Sequence, residues 1–380
     1  MERVEIKPEM LQWAIRRSGQ NTKDLAARFP KLNNWLGETS CPTLKQLENF
    51  ANATSTPIGY LFLTHPLEEK VPIPDYRKII NNQECLPSPD LLETIYLCQQ
   101  RQEWYRNFSR SMGDEPLPFV GKVTLNDDVV RTATEIRQTL DMDIDERSNV
   151  PTWTEALRRF IVQADTIGIL VMVNGVVGSN NHRKLDPQEF RGFALSDDIA
   201  PLVFINGADT KAAQMFTLAH EIAHIWLGRS ALSDAEASEV PNNEIEQWCN
   251  KVAAELLVPL EVIRKEYCKD HPLPEEMNRL AKYFKVSTLV ILRRIHDAGG
   301  LNQTQMWQAY KNELQRLQKI PGGGGGDFYL TQIARVSRRF AQALVISTLE
   351  GQTLYSDAFH LLGFSKQETF QNLGQRVGVI

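Results

Sequence analysis

Apolar positions are densest between Met215 and Leu227, where Met215, Phe216, Leu218, Ala219, Ile222, Ala223, Ile225 and Trp226 leave little room for polar residues. A segment this hydrophobic on all sides predicts a buried helix, Phe216 through Leu227. Its polar interruptions are His220, Glu221 and His224. A second helical pattern runs from Asn243 to Pro259, with Ile245, Trp248, Cys249, Val252, Ala253, Leu256 and Leu257 forming one apolar stripe. Upstream, Ile167 to Val173 and Pro201 to Ile205 are rich in branched residues and read as strands, with Phe190 to Ser196 as a third between them. Asn174 to Gln188 carries Gly175, Gly178, Asn180, Asn181, His182 and Pro187, which reads as a polar loop able to gate a nearby site.

On the amino-terminal side the pattern predicts helices at Leu11–Gly19, Lys23–Phe29 and Thr43–Ala53, with a short one at Lys31–Leu36. Prolines 66, 72, 74, 87 and 89 mark Thr64 to about Pro89 as an extended connector, expected to run across the domain that follows. Asp75, Tyr76 and Arg77 form a polar cluster within it. Helices at about Leu91–Ser111 and Asp127–Leu140 read as a spacer. Towards the carboxyl end, Gly322–Gly326 is an unbroken glycine run expected to act as a hinge. Beyond it, Tyr329–Leu349, Leu354–Leu362 and Ser365–Leu373 follow helical spacing. Arg335, Arg338 and Arg339 cluster on the first of these, either as a solvated face or as a contact for nucleic acid or an acidic partner. The expected fold is mainly α with one small α+β domain. Its expected boundaries are 1–65, 66–149, 150–300, 301–326 and 327–380, the last a helical domain for recognising a partner or substrate.

His220 and His224 stand four apart, so on a helix both imidazoles leave the same face and can reach one metal ion. Glu221 is adjacent and can serve as general base towards a water at that ion. A polar stripe on a half-buried helix would need the same letters, but burying two imidazoles and a carboxylate without partners costs several kcal/mol, on the order expected for unpaired polar groups. A third ligand is needed, and the acidic helix offers Glu246, beside the apolar stripe, with Glu244 and Glu255 as competitors. Glu244 falls in the first turn, where a carboxylate complements the helix dipole, and ranks second. Asn250, one turn beyond Glu246, can orient a ligand. Cys249 points into the apolar stripe and reads as a packing residue.

The blocks Ala200–Asn206, Phe216–His224, Glu246–Asn250 and Ala253–Pro259 together resemble the ImmA/IrrE family of metallopeptidases, over roughly residues 150 to 300. The resemblance implies a minimal thermolysin-like zincin, with His220, His224 and Glu246 as ligands, Glu221 as catalytic base and a regulatory protein, typically a repressor, as substrate. The family more often has a small residue where Trp248 and Cys249 stand. In a thermolysin-like arrangement a peptide substrate adds to a sheet edge above the metal, and Phe193, Ala194, Leu195 and Ser196 are the candidates for that edge, with plain sheet core as the alternative. His182 and Arg183 are candidates for stabilising an oxyanion, or are solvated loop surface. The first 65 residues resemble the lambda-repressor-like (XRE) helix-turn-helix. Lys31, Asn33 and Asn34, at the place of its recognition helix, have the chemistry to touch phosphates and base edges of double-stranded DNA. Proteins resembling this fusion also occur in toxin–antitoxin pairs, where the chain would neutralise a toxin and the metal site would be structural or vestigial.

Composition adds limits. The first 50 residues hold eight Lys or Arg against six Asp or Glu, so the module is not a strongly basic DNA reader and docking on protein is the alternative. Net charge is −5 and apolar content 42%, ordinary for a globular chain. No apolar run reaches the ~20 residues of a membrane span, and the start lacks a signal-peptide core, so a cytoplasmic protein with no membrane partner is expected. Five scattered cysteines agree with a reducing compartment. Two histidines and a carboxylate suit Zn2+, and also accept Mn2+ or another divalent first-row ion.

Overall fold

The computed structural model describes residues 3–77, 87–233, 243–317 and 328–380. The glycine run at 322–326 lies outside the described residues. The fold is mainly α with a small mixed sheet. The chain divides into two compact units, one of residues 1–72 with 79–95, the other of 73–78 with 96–380.

In the first unit, α1 (Pro8–Arg17), α2 (Thr22–Arg28), α3 (Leu32–Leu36) and α4 (Leu44–Ala53) enclose Leu11, Leu25, Leu32, Trp35, Leu47 and Phe50. Thr43 and Gln46 form a reciprocal capping box that starts α4. A 3-10 turn at Ile58–Phe62 adds Leu61 to this core. The expected short helix shrinks to the five residues of α3, because Lys31 is its N-cap. Lys31, Asn33 and Asn34 are exposed, while Leu32 and Trp35 face inwards.

The second unit is built on a sheet. α5 (Pro89–Met112), α6 (Val129–Thr139), α7 (Ile144–Ser148) and α8 (Trp153–Thr166) precede the strands β1 (Leu170–Asn174), β2 (Val176–Val177), β3 (Asn180–Lys184), β4 (Gly192–Leu195) and β5 (Leu202–Asn206). α9 (Lys211–Trp226), β6 (Ala231–Ser233) and α10 (Glu244–Leu257) follow. Helices α11 to α14 cover Leu260–Glu266, Leu273–Phe284, Thr288–Asp297 and Gln303–Leu317, and α15 to α18 cover Phe328–Val336, Arg338–Leu349, Tyr355–Leu362 and Gln367–Val377. The sheet order is β1-β5-β4-β6, with β1 parallel to β5 and the other pairs antiparallel. β1 begins three residues later than Ile167, which instead closes α8. The expected loop 174–188 contains the β2–β3 ribbon.

One expectation does not survive the topology. Phe193 to Ser196 is not a sheet edge: β4 pairs with β5 on one side and β6 on the other. Phe193, Ala194 and Leu195 are buried, and Phe193 stacks on Phe204 at 4.9 Å. The edge strand beyond β4 is β6, three residues long and too short to announce itself by alternation.

Of the arginines at 335–339, Arg338 is exposed, while Arg339 and the Arg335 backbone make contacts inside the unit. The Arg339 side chain donates to the Tyr105 hydroxyl and the Asp165 carbonyl, and its backbone N–H to the Asp165 carboxylate, which also accepts from Ser337. The Arg335 carbonyl accepts from the buried guanidinium of Arg101. α9 packs against α8, α10, β4 and β5, so the central apolar helix is enclosed on all sides as its sequence predicts.

Candidate metal centre

α9 starts at Thr210, whose hydroxyl accepts from the backbone N–H of Ala213. Its register sends His220 and His224 towards α10, where Glu246 sits in the first turn. The three side chains are buried and their donor atoms converge. His220 Nε2 and His224 Nε2 are 3.0 Å apart, His220 Nε2 is 3.2 Å from Glu246 Oε2, and His224 Nε2 is 2.9 Å from Glu246 Oε1. Donors on a tetrahedral zinc with bonds of about 2.0–2.1 Å stand about 3.3 Å apart, so the trio has the spacing of one ion's ligand set.

The competitors fall away on geometry. Glu244 is exposed at the start of α10. Glu255 is buried three turns along, where its carboxylate pairs with Arg294 and accepts from the backbone N–H of Leu260. Cys249 is fully buried in the core, where burial pushes its thiol well above the ordinary range. Trp248 fits the same core and donates to the Asp127 carbonyl at 3.3 Å.

Asn250 Oδ1 lies 2.9 Å from His220 Nδ1. Accepting the proton there leaves Nε2 bare and pointed at the other two donors, which is the tautomer a ligand needs. Burial works against ionising Glu246, yet His220 and His224 together hold its carboxyl well below the usual range. For His220 burial is outweighed by Glu246, and the imidazole is raised, whereas burial keeps His224 below its ordinary value. Glu246 thus favours the ionised carboxylate and strengthens His220's hold on a proton, so metal binding here would be linked to pH.

Glu221 is fully buried beside the trio but is not part of the convergent donor set. Neither of its carboxylate oxygens makes a hydrogen bond of good geometry among the described residues, and the Ser233 hydroxyl nearby favours its ionised form only weakly. Burial pushes its carboxyl up to about 8, against the opposing pull of His220. Two buried oxygens without partners cost about 1–3 kcal/mol each, more when charged, and a cation with bound water in front of them removes that cost. The donor set and these orphaned oxygens fit a divalent ion.

Four further residues at the site, Gly192, Gly228, Ser233 and Tyr76, carry no sequence signal that points to the metal trio. At Gly192 on β4, a Cβ would sit 2.6 Å from Thr217 Cγ2, 2.8 Å from the Phe204 carbonyl oxygen and 3.3 Å from Glu221 Oε1, so only glycine lets the sheet close on α9. Gly228, at φ +67° and within 2.8 Å of Gly121 for an added Cβ, turns the chain from α9 into β6. That turn brings Ser233 back so that its Oγ is 3.4 Å from His224 Nε2. Tyr76, from the proline-rich connector, stacks on the His224 ring with centroids 6.3 Å apart and planes at 17°. His182 and Arg183 lie on β3 of the separate ribbon, with His182 exposed.

Residues 164–296 match a family described as the IrrE N-terminal-like domain, and residues 336–376 match a domain of unknown function, DUF8813. A curated relative, the radiation response metalloprotease IrrE of Deinococcus radiodurans, is 38% identical over 91 residues, 23% of this chain. The matched region spans 28% of that relative's length. Among the described residues, no helix is long and apolar enough to cross a membrane.

Proposed function

Because residues 164–296 belong to the ImmA/IrrE family, we propose that this chain is a metal-dependent endopeptidase that hydrolyses a peptide bond in one or a few specific proteins, such as a repressor. The observation that carries the reading is the orphaned carboxylate of Glu221 beside a complete three-donor set. A structural site needs His220, His224 and Glu246 but has no use for a further buried acid. The competing reading, an antitoxin that neutralises a partner toxin around a structural metal, leaves Glu221 without a role.

His220, His224 and Glu246 would hold a divalent ion, zinc by preference of this donor set, which when bound would supply the Lewis acidity for polarising a carbonyl and acidifying water. Glu221 takes the proton of the attacking water on a carboxylate oxygen and returns it to the leaving amine nitrogen. Burial raises its carboxyl, and the charge of an ion held by the trio would draw it back towards the ionised form that the base role needs. Asn250 fixes the His220 tautomer. The enclosure of α9 excludes bulk water from the charges that change.

The test is to incubate zinc-loaded protein with a native bacterial proteome and to sequence new amino termini by mass spectrometry. The reading expects a small set of cuts that vanish with Glu221→Gln, a loss of about 100-fold or more for removing a general base. Identical cut sets for wild type and Glu221→Gln would overturn it.

For residues 1–65 we propose docking on double-stranded DNA through Lys31, Asn33 and Asn34, supported by their exposure around α3. The check is fluorescence anisotropy with labelled duplex. Binding that does not weaken as salt is raised, or that survives the triple alanine variant unchanged, contradicts it.

A further inference from the structure

The connector does more than join two units. Its residues 73–78 belong to the compact unit that contains the metal trio. Asp75 forms a parallel bridge with Leu232 on β6. The Leu232 N–H donates to the Pro74 carbonyl at 2.9 Å, and the Tyr76 N–H to the Leu232 carbonyl at 3.0 Å. The segment thus lies along the outer edge of β6, held there by one β-bridge and two backbone hydrogen bonds to Leu232. Its lateral anchor is Arg77, which donates to Asp75 Oδ2 at 2.7 Å and stands 3.6 Å from Glu189 Oε1 with its side chain 6% exposed. From this strand the Tyr76 ring reaches over His224.

That edge is the one an extended peptide needs. β6 ends at Ser233, whose hydroxyl is 3.4 Å from His224 Nε2, so a backbone paired with β6 passes directly beside a metal ligand. Strand addition satisfies the peptide's N–H and C=O groups while side-chain pockets select it. β4, the other strand facing the site, is paired on both sides and offers nothing. Leu232 is the β6 residue whose two backbone groups would hold a substrate, and both are already taken by Pro74 and Tyr76.

We propose that Pro74–Arg77 is an intramolecular competitor for the substrate strand: it occupies the β6 edge and covers His224 with Tyr76, and an extended protein segment reaches the metal only by displacing it. This rests on the peptidase reading above and adds its regulation. Such a strap would keep an enzyme with a complete donor set silent towards generic peptides. Only a substrate that binds β6 more tightly than the tethered strand does, or a partner that draws the connector away, opens the site. Apparent affinity for a peptide is lowered by the fraction of time the edge is free, so a strap in place nine-tenths of the time costs about tenfold.

Two zinc-directed probes separate the strap from the metal. Acetohydroxamate needs only the ion, whereas a hydroxamate carried on an extended tetrapeptide also needs the β6 edge. The full-length zinc-loaded protein is compared with Asp75→Ala/Arg77→Ala, which removes the anchor and leaves Tyr76 and the trio untouched. The proposal expects peptidyl hydroxamate to bind the double variant about tenfold tighter, by the occupancy argument, with acetohydroxamate unchanged. Unchanged or weaker peptidyl binding, with acetohydroxamate intact, overturns the strap and leaves the peptidase reading standing. Failure of acetohydroxamate to bind either zinc-loaded protein sinks the peptidase reading itself. Amide hydrogen exchange on wild type needs no variant: saturating peptidyl hydroxamate must deprotect the Tyr76 N–H, and acetohydroxamate must not. Tyr76 protection that holds or rises with the peptidyl probe overturns the proposal.

Discussion

Asn250→Ala is the substitution that most cleanly probes how the second helix serves the metal trio. The wild-type amide oxygen lies 2.9 Å from His220 Nδ1, and His220 is fully buried. Removing it leaves a buried imidazole N–H without an acceptor, which costs about 1–3 kcal/mol. The ring is also freed to rotate or to change tautomer, and loss of such an orienting partner lowers metal affinity by about 10- to 100-fold. The two routes agree, because those factors correspond to about 1.4–2.8 kcal/mol. Zinc affinity is measured by competition with a chromophoric chelator at fixed pH, for wild type, Asn250→Ala and Asn250→Asp. The aspartate keeps an acceptor at the same place and should hold affinity at or above the wild-type value. If Asn250→Ala binds zinc within about twofold of wild type, well below the loss expected for an orienting partner, the contact does not orient His220 and the argument fails.

Other expectations follow from the same geometry. Gly192→Ala pushes a methyl against Thr217 Cγ2 and the Phe204 carbonyl, an overpacking that should cost about 1–3 kcal/mol and lower the melting temperature, with partial recovery in Gly192→Ala/Thr217→Ser only if the methyl group is the obstacle; an unchanged melting temperature contradicts it. Acidification should weaken metal binding: in the metal-free protein the His220 pKa is raised above its ordinary 6.5, so the proton that an ion must displace is held more firmly as pH falls through that raised value, and calorimetry in buffers of different ionisation enthalpy should detect proton release on binding. A flat affinity from pH 8 to 6 would count against this, given an ordinary His pKa of about 6.5. Arg294→Ala leaves the Glu255 carboxylate buried and unpaired and should destabilise the fold by about 3–5 kcal/mol while metal content stays at the wild-type level, whereas loss of metal without loss of stability would make Glu255 a ligand after all.

Much of the site could be read from the chain because helices write their faces into sequence. The four-residue step from His220 to His224 and the place of Glu246 beside an apolar stripe are local, periodic facts, and Asn250 follows one turn later on the same face. Of the three acidic candidates the structure brings only Glu246 into the donor cluster with the two histidines, leaving Glu244 exposed and Glu255 paired with Arg294. What sequence could not show is long-range pairing. β6 has three residues and follows a turn, so it has no periodicity to detect, yet its presence converts β4 from an edge into an interior strand. For the same reason the local pattern at Phe193 to Ser196 suggests a peptide-binding edge where the structure has an interior strand, Gly192–Leu195. The proline-rich connector was legible as extended, since proline removes donors and fixes backbone angles. Its register against Leu232 depends on a partner more than 150 residues away. The structural role of Arg339 leaves no local trace in the sequence because its acceptors, the Asp165 carbonyl and the Tyr105 hydroxyl, come from distant helices.

The central claim is that His220, His224 and Glu246 hold one divalent ion in front of a base, Glu221. Its most direct test is metal content by inductively coupled plasma mass spectrometry on full-length protein purified without chelators, for wild type, Glu246→Ala and Glu221→Gln. The account predicts equal, near-stoichiometric zinc in wild type and Glu221→Gln, and its loss in Glu246→Ala with the fold retained by circular dichroism. Wild type that holds no metal and cannot be loaded with zinc or manganese, or Glu246→Ala that keeps its zinc, would contradict it.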